Sequence, residues 1–330
     1  MSAKVITVFG ATGYQGTSVI DSLLQNKTSG FSVRGITRNP ESDKAKALAA
    51  RGVEIVKADG LVKEQLVEAF KGSWGAFANT NSDDASVNEP GSPTESDLGK
   101  IIVDAAFDAG VKVFIYSGFE SASKITNGAV PSKAFDEKAA VTEYAKAKGF
   151  TSAAAVSPGW YFENHLSEEL AQAIGGFPFT PDDEGFLTLR VPNWGGNNEI
   201  PFIGIGDDYG DLVHGVFLSP EENNGRLIQG FSSAATADEL VAEFQKVTGK
   251  KARFTPMENW QDFETYGMTA LETVKYMFGF CQHADGKYYG TPNDVEPAKK
   301  LKASAVEAKG GPADEAKLMT PNAFFTKYFS

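Results

Sequence analysis

The chain has 330 residues, 42% of them hydrophobic and 22% charged, with a formal net charge of -12, an ordinary composition for a globular chain long enough for a large domain plus an annex. The acidic balance argues against direct contact with a nucleic-acid backbone, whose recognition needs basic patches. A lone cysteine (Cys281) excludes an internal disulfide, three scattered histidines (His165, His214, His283) are too few for a usual zinc cluster, and no apolar run reads as a membrane span.

The opening MSAKVITVFG reads as a first strand rather than a secretory signal, with KVITVF at residues 4–9. TSVIDSLLQN follows as a helix with Val19, Ile20, Leu23 and Leu24 on one face. FSVRGITR predicts a second strand, SDKAKALAARG a helix closed by a glycine, VEIVKAD a third strand and KEQLVEAFKG a helix. WGAFANTN, SDLGKIIVDAAFDAG, VKVFIYSG, FDEKAAVTEYAKAKG and TSAAAVSPG continue the alternation of strand and helix. Near-continuous apolar strands between helices imply an α/β fold: a parallel sheet covered on both faces, with right-handed crossovers.

After Gly159 the rhythm breaks. WYFENHLSEEL predicts loop into helix, and the Gly-, Pro- and Asp-rich stretch that follows predicts short strands. TADELVAEFQKVTGK predicts a helix capped by Thr236, ASAVEAKGGPADEAK an exposed low-complexity loop, and TPNAFFTKYF a last amphipathic helix. The expected division is a nucleotide-binding domain over residues 1–159 and a smaller α+β lobe over 160–330, with about 200–235 returning to the first domain.

The most specific local signal is GATGYQG at residues 10–16, because it follows a strand and opens a helix. Gly10 allows the sharp turn, Gly13 a close backbone approach to a pyrophosphate, and Gly16 close packing of helix on strand. The helix N-terminus adds N–H donors and a positive dipole end. The second strand ends in GITRNP, with Thr37 and Arg38 and no acid. A cation there fits the 2′-phosphate of NADP(H), where an NAD site places Asp or Glu; as a bland alternative Arg38 is a solvated loop charge. Asp59 in ADGL is placed to meet an adenine edge, or to cap the next helix.

GATGYQG, GITRNP, ANTN, VFIYSGFES, FDEKAAVTEY and PGWYFENHLS, in this order, resemble the NmrA-like family of atypical short-chain dehydrogenases/reductases, most of all its redox-sensor branch. The resemblance implies a doubly wound Rossmann domain with a smaller C-terminal lobe, and NADP(H) at the strand C-termini. It carries cofactor contacts onto Gly10, Thr12, Gly13, Tyr14, Gln15, Gly16, Thr37, Arg38, Asp59, Gly60, Thr80 and Asn81. It adds Lys124, and Tyr161, Phe162, Glu163 and Asn164 along the nicotinamide side. It implies a cytoplasmic or nuclear regulator that changes protein partners with cofactor occupancy, and admits a homodimer. Isoflavone-reductase-like relatives imply the alternative, reduction of a small molecule by NADPH.

Carbonyl reduction needs a proton donor at the developing alkoxide. Classical members use Tyr in Y-x-x-x-K with a Ser at the end of the fifth strand. Here Ser117 and Lys138 stand at the serine and lysine positions, but Ala134 replaces the tyrosine. Lys138 is then either an acid/base of its own or only a ribose ligand, and Ser117 either a pocket residue or a strand end. Phe119, Trp160 and Tyr161 are the candidate walls of a flat substrate pocket. His165 and His214 read as core or surface histidines, and Asp208 as a helix N-cap.

Overall fold

The computed structural model describes residues 3–28 and 30–330. In its first half, strand and helix alternate as the sequence predicts: β1 (Lys4–Phe9), α1 (Tyr14–Leu24), β2 (Phe31–Thr37), α2 (Asp43–Ala50), β3 (Glu54–Lys57), α3 (Lys63–Phe70), β4 (Gly75–Ala78), α4 (Glu95–Asp108) and β5 (Val113–Tyr116). A short α5 (Ala122–Ile125), α6 (Lys133–Ala147) and β6 (Ser152–Pro158) complete it. The second half holds β7 (Trp160–Tyr161), α7 (Glu168–Ala173), β8 (Leu187–Leu189), β9 (Ile200–Ile203), α8 (Gly210–Leu218), β10 (Leu227–Gly230), β11 (Ser233–Ala235), α9 (Ala237–Thr248) and β12 (Ala252–Phe254). Helices α10 (Thr269–His283), α11 (Glu296–Ala308) and α12 (Pro321–Phe329) end the chain.

Seven strands form the main sheet in the order β10-β6-β5-β4-β1-β2-β3. Every pairing in it is parallel. The order reverses between β1 and β4, and the ends of these strands frame a crevice, which is where open parallel sheets bind ligands. The three strands β4, β5 and β6 are buried along their whole length, which is why GAFA, VFIY and SAAAVSP read as continuous apolar runs. One face of the sheet packs on α1, α8 and α11 through Val19, Ile20, Leu23, Leu212, Val216 and Leu301. The other packs on α3, α4 and α6 through Leu66, Phe70, Ile102, Val103 and Val141.

The lobe has its own aromatic core, with Phe162, Phe177, Trp194, Phe202, Phe244, Phe278 and Phe324 among its buried residues. Its small sheet runs β11-β9-β7, beside a separate β12-β8 pair. Helix α9 starts on a full capping box, Thr236 with Glu239, and stops at Gly249 in the left-handed conformation.

Two expectations change. Strand β10 pairs with β6 in the main sheet, and both α8 and α11 pack on that sheet. The stretch expected as an exposed loop from residue 303 therefore begins as the end of α11, with Ala305 and Ala308 buried. Its alanines and lysines look like low complexity because the buried stripe is made of small residues. Asp208 is not a helix cap. It lies fully buried in a π-helical turn (Ile205–Tyr209) before α8, paired with Lys302 and accepting from Ser232 and from the Met319 N–H at 2.8 Å. A carboxylate in such a place is retained by its ion pair and donors, not by helix capping.

Candidate functional site

The chain leaves β1 at Phe9 and reverses at Gly10, whose φ of +80 is a region that side chains rarely allow. The Gly13 N–H then donates to Gly10 O at 3.0 Å. A Cβ on Gly16 would stand 2.1 Å from Gly10 O, so only glycine lets α1 begin this close to the turn. Helix α1 has no side-chain cap and no acid in its first turn. Its first N–H groups are thus free of side-chain acceptors, an arrangement that receives an anion.

Around this turn lies a cleft of about 480 Å³. It is lined by Gly10, Thr12 and Gly13, by Thr37 and Arg38 after β2, by Asp59 and Gly60 after β3, and by Thr80 and Asn81 after β4. Asn39, Ser42, Lys44 and Asp84, which no sequence motif marks as ligands, stand on the same wall. Asp84 lies 2.8 Å from Arg38 Nη2 and receives the Ser86 N–H and hydroxyl at 3.0 and 2.7 Å. Although partial burial opposes it, hydrogen bonds from Ser86 and Arg38 hold the Asp84 carboxyl below the usual carboxylate range. Asp59 accepts the Leu61 N–H at 3.0 Å and does not cap α3, whose N-cap is Val62.

A second, apolar cavity of about 420 Å³ lies beyond the ends of β4 and β6. Its walls include Phe119, Phe135, Trp160, Tyr161, Leu271, Met277 and Tyr288, with Ser82, Asp83, Ala134, Asn164 and Glu169 as well. Phe119 stacks on Phe135 with ring centroids 4.5 Å apart. Tyr161 ties this cavity to the dinucleotide turn, because Gln15 Nε2 donates to its hydroxyl at 2.6 Å. Burial pushes the Tyr161 hydroxyl up to about 12, with the Gln15 hydrogen bond acting the other way. The other end of the Gln15 amide, Oε1, is buried with no partner among the described residues.

The two candidate catalytic residues stand behind this surface. Lys138 is buried and its Nζ reaches Thr80 O at 2.7 Å, Thr80 Oγ1 at 3.0 Å and Glu95 Oε1 at 2.5 Å. An ammonium has three donors, and here all three are engaged. Glu95, buried in turn, also accepts from Thr80 Oγ1 at 2.5 Å and from Ser82 Oγ at 2.7 Å. Tyr116 completes the cluster, its hydroxyl 2.6 Å from Thr80 Oγ1, and burial above all pushes that phenol far above its ordinary value. Ser117 is buried beside Tyr209, whose hydroxyl donates to Val156 O at 3.1 Å. Neither Lys138 nor Ser117 lines either cavity, so the expected acid/base role loses its geometric support: an acid must reach the proton's destination.

Three more expected contacts fall away from the cleft. Lys124 is exposed on α5 and lines neither cavity. Phe162 is fully buried in the lobe core, stacked on Phe202 and Phe324, because its neighbour Tyr161 takes the cavity side of the strand end. Tyr14 is 79% exposed and lines a neighbouring groove that shares Thr12 and Gly13 with the cleft and also includes Glu163 and Asn164. Glu163 there receives the Gly206 N–H at 2.9 Å. Glu95, Ser82 and Asp84 carry no motif that marks them in the sequence as site residues. The one signal for Glu95 is the strong cap T-E-S-D, a Thr94–Asp97 capping box that fixes where α4 begins. Among the described residues there is no cluster able to hold a metal and no helix long and apolar enough to cross a membrane.

The chain matches the NmrA-like family over residues 2–315. It is 47% identical to the NmrA-like family domain-containing oxidoreductase FrzB of Cladobotryum sp, covering 99% of this chain and 98% of that one. In solved structures the fold is shared with NmrA, a negative transcriptional regulator, in complex with NADP (TM-score 0.75, 19% identity, 100% of this chain and 96% of that one). It is shared too with the NADPH-dependent quinone oxidoreductase QOR2 of Escherichia coli complexed with NADPH (TM-score 0.65, 23% identity, 98% and 100%). With a match along almost its whole length and a parallel sheet built around GATGYQG, this chain belongs to the NmrA-like family.

Proposed function

We propose that this protein is an NADP(H)-dependent oxidoreductase of a small, flat organic substrate. The observation that carries the reading is the adjacency of two unlike spaces: a polar cleft at the dinucleotide turn and an aromatic cavity, joined by the Gln15–Tyr161 hydrogen bond. The residues present fit a dinucleotide. The turn is one that a Cβ on Gly16 would fill, and Gln15 Oε1 is a buried acceptor awaiting a donor. Arg38, Ser42 and Lys44 would hold a 2′-phosphate, and no acid stands at the end of β2 to favour NADH. The bound cofactor supplies or accepts the hydride. The protein orients it through the turn, excludes water with Phe119, Trp160 and Tyr288, and holds Thr80 and Ser82 in place through the Glu95–Lys138 pair.

The identity to a named oxidoreductase supports this reading over a purely regulatory one. A cofactor-sensing regulator remains the second reading, carried by Ala134, which puts a methyl where reductases of this superfamily place their proton donor. The test is calorimetric binding of NADPH and NADH, followed by NADPH consumption against quinones, enones, aldehydes and iminium ions. Preference for NADPH with turnover on one class is expected. Tight NADPH binding with no turnover, and a protein partner released or captured by it, supports the sensor instead.

A further inference from the structure

We infer that the substrate reduced in the aromatic cavity is a cationic electrophile, a flat molecule whose acceptor carbon is conjugated to a positively charged nitrogen, as in an iminium ion. The inference rests on the oxidoreductase reading and names its substrate class.

Two independent observations lead to it. The first is charge. The cavity is lined by five aromatic rings and two carboxylates, Asp83 and Glu169, and by no Lys, Arg or His among the described residues. The neighbouring lysines are spoken for: Lys138 by Glu95, and Lys133 by Asn88 Oδ1 and Val87 O at 2.9 and 3.4 Å. Aromatic faces with a carboxylate at the rim favour a delocalised cation and disfavour an anion. Desolvation, with Glu95 nearby and against Lys138, pushes the Asp83 carboxyl above its usual range, and a bound cation beside it would relieve that.

The second is the proton. A neutral carbonyl or enone needs one proton for every hydride it takes. The usual phenol is absent, and two of the lining hydroxyls are engaged elsewhere. Ala134 has a methyl where a phenol is expected, Ser82 donates to Glu95, and the Tyr288 hydroxyl donates to Pro158 O at 3.1 Å. The Tyr161 hydroxyl accepts from Gln15 Nε2 and, through burial, is a weaker acid than an ordinary phenol. A cationic acceptor removes the need. The hydride of the reduced nicotinamide dinucleotide forms a C–H bond at the electrophilic carbon, and the C=N π pair moves onto nitrogen. The substrate is reduced and neutral, the dinucleotide is oxidised and carries the positive charge, and no proton enters or leaves.

The experiment is titration calorimetry of the full chain, without dinucleotide, against three probes of one shape: N-methyl-3,4-dihydroisoquinolinium, its uncharged carbon analogue 2-methyl-3,4-dihydronaphthalene, and 2-naphthoate. The iminium ion is expected to bind about tenfold or more tighter than either of the others. Asp83→Asn should abolish that preference while leaving the uncharged probe unchanged, and Asp83→Glu should restore it. With NADPH present the iminium ion should be consumed at a rate that does not follow an acid titration. Equal binding of the three probes, with quinones or enones still reduced, overturns this inference and leaves the oxidoreductase reading standing. Selective, Asp83-dependent binding of the iminium ion with no NADPH consumption on any acceptor upholds cation recognition and overturns the oxidoreductase reading.

Discussion

The two cavities are built in opposite ways. The dinucleotide cleft takes its walls from successive strand ends, after β1, β2, β3 and β4, and mixes Arg38 and Lys44 with Asp59 and Asp84. The aromatic cavity gathers side chains from residue 82 to residue 288, and its ionisable groups are acids alone. The first is set by the geometry of a parallel sheet and serves a ligand common to many proteins. The second is set by how the lobe folds back, and is where relatives of one fold can diverge. Between them stands the Glu95–Lys138 cluster, which presents Thr80 to one space and Ser82 to the other.

The largest effect should come from breaking that partition. Glu95→Ala strands a buried lysine charge and is expected to cost about 3–5 kcal/mol of stability, read by urea unfolding. Adding Lys138→Met should recover much of the loss; if the double variant is no better than the single, the pair is not a coupled unit. Next, Gly16→Val drives side-chain atoms into the Gly10 backbone, which cannot yield, at about 1–3 kcal/mol or more. NADPH binding should be lost while the calorimetric affinity of the aromatic cavity for its iminium probe is kept.

A smaller effect separates the two cofactors. Arg38→Ala should remove about 1.5–3 kcal/mol from NADPH binding and little from NADH binding. Asp84→Asn, which keeps a capping oxygen but frees Arg38 of its ion pair, should tighten NADPH by a few-fold; equal effects on NADH would contradict the 2′-phosphate assignment. A pH-dependent effect compares the two cores. His165 in the lobe and His214 beneath the main sheet both have pKa values lowered to about 4, in each case chiefly by burial. The unfolded chain takes up their protons from about pH 6.5 downward and the folded chain does not. Their contribution to stability is therefore complete above about 6.5 and is lost as pH falls towards 4. His165→Leu should flatten that slope, measured as unfolding free energy at stepped pH.

The sequence is most legible where partners are close along the chain. GATGYQG specifies its own turn through spacing, Thr37 and Arg38 sit at a strand end, and Thr236 and Glu239 announce a helix start three residues apart. What escaped depends on distant partners. Arg38 reads as a free cation because Asp84 is far along the chain, and Lys138 reads as an acid/base or a ribose ligand because nothing nearby betrays Glu95. Asp208 reads as a cap because its partner Lys302 lies on a helix that the sequence hides. The aromatic cavity was partly visible in Phe119, Trp160 and Tyr161, but Asp83 and Tyr288 join it only through the tertiary fold.

The central claim is that hydride passes from a dinucleotide in the cleft to a substrate in the aromatic cavity. It is tested most directly with NADPH deuterated at the transferable position, an iminium acceptor and mass spectrometry of the product. One deuteron is expected on the former electrophilic carbon, none from solvent at that carbon, and the label should be lost in Ala134→Trp, which blocks the cavity while NADPH affinity is unchanged. NADPH bound tightly with no label transferred to any acceptor would contradict it.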